Sequence, residues 1–287
     1  MKYKKQKNFQ RIISVALIIC IVFLLFDFTA SEITDKYAYE DTDVNTAEWG
    51  LVYQRLASSE QLTDEDYEII FKQSGLGKSA VNALISEGRT DEIEIYRNYY
   101  LRDKDFTCVR TAIFAKHEAV TDSDGNRILN PKFANIQNGD IIITLSIHSL
   151  GWRHGHAAIV TDAENGETAQ AVRVFEKSDF GTVWEWNEFP LVAVLRVKNI
   201  DENTQNELAN FVRENMIGIP YALSAGIIGG RDTEAKLFTT QCAHFVWYAY
   251  QCFGIELDSN GGFVTPKELL HSEELEIVQV YGNVMEV

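Results

Sequence analysis

Cys242 is the residue of this chain best placed to do covalent chemistry. It follows Thr239-Thr240-Gln241, and either threonine can cap the helix begun by CAHFVWYAYQCF. A thiol in a first helical turn meets the positive end of the helix dipole and several unpaired backbone N–H groups. Both favour the thiolate and lower the pKa. The same N–H groups can hold the oxyanion of an acyl-transfer intermediate. Behind it, Phe245, Val246, Ala249 and Phe253 recur at helical spacing, which buries the helix and fixes the sulfur. A free cysteine is more commonly a small buried hydrophobe, so position alone leaves both roles open.

A thiolate nucleophile needs a base, and the base needs an orienting group. Three histidines, His148, His154 and His156, lie in IHSLGWRHGHAAIVTD. In a strand His154 and His156 share a face, so spacing does not choose between them. His156 opens the apolar stretch AAIV and is the better anchored, whereas His154 lies nearer the loop. His244, two residues beyond Cys242, points away from it around the helix. For the orienting group, the run QAVRVFE ends in Glu176 on the face of Val174 and Val172, where a strand also simply emerges into water. Asp162, Glu185 and Glu188 remain alternatives. The chain lacks HExxH or paired-cysteine spacing, so neither a metal nor a cofactor is expected.

The elements that must position these residues can be read from pattern. The chain has 287 residues, 46% of them apolar, enough for a sizeable core. Its 26 basic residues face 42 acidic ones, and five of the basic ones precede the first acidic residue. So acidic a body repels phosphate backbones, which excludes nucleic acid as a partner. Residues 12–26 (IISVALIICIVFLLF) follow a cationic segment and are apolar except for Ser14, the pattern of an export signal. Residues 1–31 therefore read as a signal peptide or membrane anchor, and the rest is expected outside the cytoplasmic membrane, anchored by the N-terminus or secreted. The exported part holds an odd number of cysteines, Cys108, Cys242 and Cys252, so at least one is free. Cys242 and Cys252 lie about 15 Å apart along one helix and cannot bond, while Cys108–Cys252 stays open.

Residues 32–105 read as a lead-in, weakly patterned to about residue 57, and a helical segment. Helices are predicted from Thr63 to Gly75, over 78–87, and from near Thr90. From Thr107 the period changes to short β-type runs: CVRTAIFA, DIIITLSI, HAAIVTD, QAVRVFE and VAVLRVK. Hairpin-type turns are signalled at Asp124-Gly125 and Asn165-Gly166. Helices are expected over about 202–216 and 242–253, and a short one starts at Thr265-Pro266. The fold class is α+β, with 106–287 as the main domain. Gly75-Leu76-Gly77-Lys78-Ser79 follows a helix and has Lys72 at the first glycine position, so it is a helix–helix turn and no phosphate loop. Asp122-Ser123-Asp124-Gly125-Asn126 lacks the closing glutamate of a calcium loop and is a turn.

The order of these segments resembles a known family. Gly139-Asp140-Ile141-Ile142 is followed by Gly155-His156-Ala157-Ala158-Ile159-Val160, the run ending in Glu176, VLRVK at 194–198 and Pro220-Tyr221. Then come Gln241-Cys242-Ala243-His244-Phe245-Val246-Trp247 and Thr265-Pro266-Lys267-Glu268-Leu269-Leu270. Over residues 135–280 this resembles the circularly permuted, papain-like NlpC superfamily, in its YiiX-like branch. The chain departs from the pattern at Ala243-His244, where a small polar and an acidic residue are expected. The resemblance implies an antiparallel sheet packed on helices, with Cys242 as nucleophile, His156 as base, Glu176 as orienting residue and Tyr221 lining the cleft. It further implies cleavage of a peptide or N-acyl amide through a thioacyl intermediate. In an exported protein the substrates to consider are cell-wall peptides and N-acylated or lipid-linked amides. A lipid acyltransferase or esterase using the same pair, and a catalytically silent envelope binding module, are the alternatives.

Overall fold

Runs of β-branched and small apolar residues between positions 141 and 197 build an antiparallel sheet in the computed structural model. It describes residues 13–23, 25, 46–102, 104–112, 115–149, 152–226, 237–258 and 261–285. The six-stranded sheet has the order β7-β6-β5-β3-β8-β9. Its strands are β3 (Ile141–Thr144), β5 (His156–Asp162), β6 (Glu167–Gln170), β7 (Asp179–Thr182), β8 (Val192–Val197) and β9 (Leu275–Tyr281). A second, three-stranded sheet has the order β1-β2-β4, from β1 (Asp105–Arg110), β2 (Ala115–Thr121) and β4 (Ile147–Ser149).

The large sheet is buried on both faces, which is why III, HAAIV and VAVL show no polar alternation. Ile141, Ile143, Ala157, Ile159, Ala193 and Leu195 face α6 (Glu202–Asn215) and α7 (Cys242–Gln251). Ile142, Ala158, Val160, Val192 and Val194 face the N-terminal helices α2 (Thr46–Ser58), α3 (Asp64–Ser74), α4 (Lys78–Ser86) and α5 (Glu92–Tyr100). This helical segment therefore completes the core of the domain that follows it. The Gly75–Gly77 turn binds it to β9: the Val280 N–H donates to the Gly75 carbonyl and the Gly77 N–H to the Val278 carbonyl, both at 2.8 Å. A Cβ at either glycine would overlap the β9 backbone, so close approach explains the glycines that mimic a phosphate loop.

Several boundaries differ from the sequence expectations. CVRTAIFA is two strands of a hairpin, because the chain turns after Arg110 and resumes at Ala115. DIIITLSI breaks after Thr144. There Thr144 Oγ1 donates to the Leu191 carbonyl at 2.7 Å, and Ser146 Oγ accepts from the Leu191 N–H at 3.0 Å. These hydroxyls replace the ladder, and the chain crosses into the small sheet as β4. QAVRVFE is no strand beyond Gln170; it turns, with Phe175 at φ 72°.

Residues 46–58, expected as lead-in, form α2, whose Trp49, Val52 and Leu56 make one buried stripe. The sequence reading missed β7 and β9. In LEIVQVY the buried Gln279 masks the apolar pattern; its Oε1 accepts from the Ala134 N–H at 2.7 Å and its Nε2 donates to the Tyr281 hydroxyl at 2.9 Å. The cap at Thr63 holds, with a capping box to Asp66. A short α8 (Pro266–Leu270) follows Thr265, again with a capping box.

Residues 13–23 form a further helix, α1, whose side chains are exposed. Among the described residues no helix is long and apolar enough to cross a membrane. The end of the segment expected as signal peptide or anchor, residues 26–31, lies outside the described residues. Among the described residues none of the four cysteines forms a disulfide, so the Cys108–Cys252 bridge is not formed.

Candidate active site

Helix α7 begins at Cys242, and its cap is Gln241 rather than a threonine. Gln241 Oε1 accepts from the Ala243 N–H at 2.9 Å and from the Cys242 thiol at 3.5 Å. Its Nε2 donates to the Val264 carbonyl at 2.8 Å, which ties the cap to the turn before α8. Phe245, Val246, Trp247, Ala249 and Tyr250 are buried, so the start of the helix is held on every side.

The Cys242 sulfur lies against β5, where the Ala157 N–H points at it together with the N–H groups of Ala243 and Cys242 itself. That first donor belongs to the peptide joining His156 to Ala157, so the sulfur touches the backbone directly after His156. Burial nonetheless pushes the thiol up to about 11, and the three N–H groups offset this only in part. The lowered pKa expected from the helix N-terminus is thus reversed: desolvation of a buried thiolate outweighs the local donors. Burial likewise pulls His156 down to about 4, opposed by its bond to Gln170, with a smaller downward push from His154. At rest the pair is a neutral thiol and a neutral imidazole.

His156 Nε2 lies 2.7 Å from Gln170 Oε1, across the β5–β6 ladder. Gln170 Nε2 in turn donates to Glu185 Oε2 at 3.4 Å. A carboxylate only accepts, so it draws the amide nitrogen towards itself and leaves the amide oxygen for His156. Nε2 must then carry the imidazole proton, which frees Nδ1 as the basic nitrogen. Trp186 stacks on the imidazole at 5.3 Å between ring centres and 3° between planes, covering it from water. Glu185 and Trp186 both come from the 3-10 turn Val183–Glu188. Gly181 of β7 leaves room for the Gln170 amide, which a Cβ there would overlap.

The bond to the imidazole that was expected from Glu176 is made by Gln170. Glu176 sits exposed in the turn after β6 and pairs with Arg173 at 2.7 Å, because the strand that was to carry it ends six residues earlier. Asp162 caps the β5–β6 turn through Asn165, and Glu188 faces Arg127 and His117. Glu185, one of the alternatives, reaches the imidazole only through Gln170. His154 Nε2 lies 3.1 Å from Ser149 Oγ, and His148 belongs to the small sheet, 3.7 Å from Glu118. His244 is buried behind Cys242, with Nδ1 3.1 Å from Thr240 Oγ1. The Tyr221 hydroxyl is pushed well above its ordinary value by burial and by the nearby Cys242.

The rim of the site carries exposed apolar side chains, with Arg173, Glu176 and Lys177 exposed among them. The segments 171–177, 219–223 and 238–241 run together beside Cys242, through Tyr221 N–H to Glu176 carbonyl and Ala222 N–H to Thr240 carbonyl bonds of 2.9 and 2.8 Å. On them Val172, Val174, Phe175, Leu223 and Phe238 are exposed, Phe175 fully.

Sequence comparison finds no family model that matches the chain and no match among curated proteins. Among solved structures the chain is similar to the metalloprotein yiiX from Escherichia coli O157:H7, at 17% identity and a TM-score of 0.40. The match covers 51% of this chain and 98% of that one. At that score the likeness carries no argument about function.

Proposed function

We propose that the chain is an exported cysteine hydrolase that cleaves an amide bond in the cell envelope. The observation that supports this best is the ordered imidazole: His156 bonded to Gln170, stacked under Trp186 and joined through its own peptide to the Cys242 sulfur. The thiol turns from Gln241 Oε1 towards Nδ1 of His156, which takes its proton as the sulfur attacks the carbonyl carbon. The Cys242 N–H, a donor of the first helical turn that lies against the sulfur at rest, holds the oxyanion. The imidazolium returns its proton to the leaving amine, and water, deprotonated by the same nitrogen, releases the acid from the thioester.

The exposed apolar rim favours an N-acylated or lipid-linked amide over a plain wall peptide. Transfer of the acyl group to a lipid acceptor is the alternative chemistry of the same thioester. For its location, the apolar stretch 12–26 supports retention at the cytoplasmic membrane with the catalytic domain outside.

The test is incubation of the full chain with a long-chain N-acyl amino acid and with a wall tripeptide, followed by mass analysis of protein and products. The expected result is release of the fatty acid and a covalent adduct on Cys242 whose mass equals the acyl group. Unchanged substrate would leave a binding module, and turnover that survives Cys242→Ala would overturn Cys242 as the nucleophile.

A further inference from the structure

The small sheet gathers a second set of reactive side chains that the proposed hydrolysis does not use. Cys108 on β1 stands directly opposite Glu118 on β2. His148 on β4 stands opposite Lys116, two residues from Glu118, so it meets Glu118 diagonally on the same face. One donor atom from each of Cys108, Glu118 and His148 lies within 4.8 Å of the others. Glu118 and His148 are buried and Cys108 is exposed, so the cluster is anchored below and open above. We infer that Cys108, Glu118 and His148 form a binding site for a zinc-type divalent cation.

The donor set fits that ion class. A thiolate, an imidazole and a carboxylate are the three protein ligand types of zinc, at about 2.3, 2.1 and 2.1 Å, which puts tetrahedral neighbours about 3.5 Å apart. His148 Nε2 and Glu118 Oε1 are already 3.7 Å apart. Closing the cluster requires chiefly an inward movement of Cys108, and β1 is an edge strand bonded only to β2 within its sheet. Arg153 now holds both Glu118 oxygens, Nη1 to Oε2 at 2.9 Å and Nη2 to Oε1 at 2.5 Å. This ion pair is the main obstacle to a cation. On binding, the metal takes Oε1 and Arg153 keeps Oε2, as a hydrogen-bonded support for a ligating carboxylate. The Cys108 thiol loses its proton to water as the sulfur–metal bond forms, and one water completes the tetrahedron.

The test is cobalt(II) titration of the full chain carrying Cys242→Ala, so that the α7 thiol contributes nothing. Equimolar cobalt should give a thiolate-to-metal charge-transfer band with intense visible transitions, and zinc should displace both. Cys108→Ser, a change at an exposed position, should abolish the band without altering the circular dichroism. Zinc should also slow alkylation of Cys108 at least tenfold in the parent chain. The inference is overturned if no thiolate band forms, or if the band persists in Cys108→Ser. It is equally overturned if zinc leaves Cys108 alkylation unchanged. None of these readings depends on hydrolytic activity.

Discussion

The Gln170 amide offers His156 either its oxygen or its nitrogen, and Glu185 decides which. Without that carboxylate the amide is free to rotate, and the imidazole proton is free to move from Nε2 to Nδ1. Gln170→Ala is expected to lower kcat about 10- to 100-fold, since a hydrogen bond to a group that becomes charged is worth about 1.5–3 kcal/mol. Glu185→Gln should lower kcat severalfold with KM unchanged, because it alters orientation and touches no substrate. Steady-state kinetics on the amide substrate separates the two effects. The depressed pKa of His156 has a thermodynamic counterpart. A nitrogen at about 4 in the folded state binds its proton less tightly than an ordinary imidazole near 6.5. Stability from this group is therefore complete above pH 6.5 and is lost as pH falls through 4, by about 3 kcal/mol. Urea unfolding at about pH 7 and about pH 4 should show that loss, and His156→Gln should remove most of it.

Among the elements, β7 acts on the site without contributing a reactive group. Gly181→Ala should displace the Gln170 amide and depress kcat while leaving the unfolding midpoint near that of the parent, a combination that kinetics and urea titration together can check. Elements of this kind are what sequence reading handles worst. Helix α7 was legible because its apolar residues repeat around every side, and β5 because HAAIV is continuous and bounded by Gly155. His156 was legible through that strand. Gln170 was not: it opens a run whose β-branched residues Val172 and Val174 extend the strand pattern beyond the point where the chain turns, so attention falls on Glu176 at the far end. Trp186 lies in a 3-10 turn, whose period matches neither template. The elevation of the thiol pKa was hidden for another reason, because the helix N-terminus is visible in sequence and the depth of burial is not. The α2 stripe at 49, 52 and 56 has helical spacing but only three members, too few to stand out in an acidic segment.

At the scale of the molecule, both faces of the six-stranded sheet are covered, one by α6 and α7 and the other by α2–α5. Residues 104–287 alone would expose Ile142, Ala158, Val160, Val192 and Val194 in a single patch. That fragment is expected to aggregate or to bind a hydrophobic dye strongly, whereas the chain from residue 46 onward should remain monomeric by light scattering. A soluble, cooperatively unfolding fragment would contradict the shared core. The layout also orders assembly in time. His156, Gln170, Glu185 and Trp186 fall within 31 consecutive residues joined by short connections, so loop closure costs them little. Cys242 must travel from more than fifty residues further on, and β9 from further still. As the chain emerges from its N-terminus, the imidazole pocket is complete before the thiol arrives to occupy it. Pulse alkylation during refolding should therefore find Cys242 among the last groups to gain protection, a thiol delivered into a finished socket.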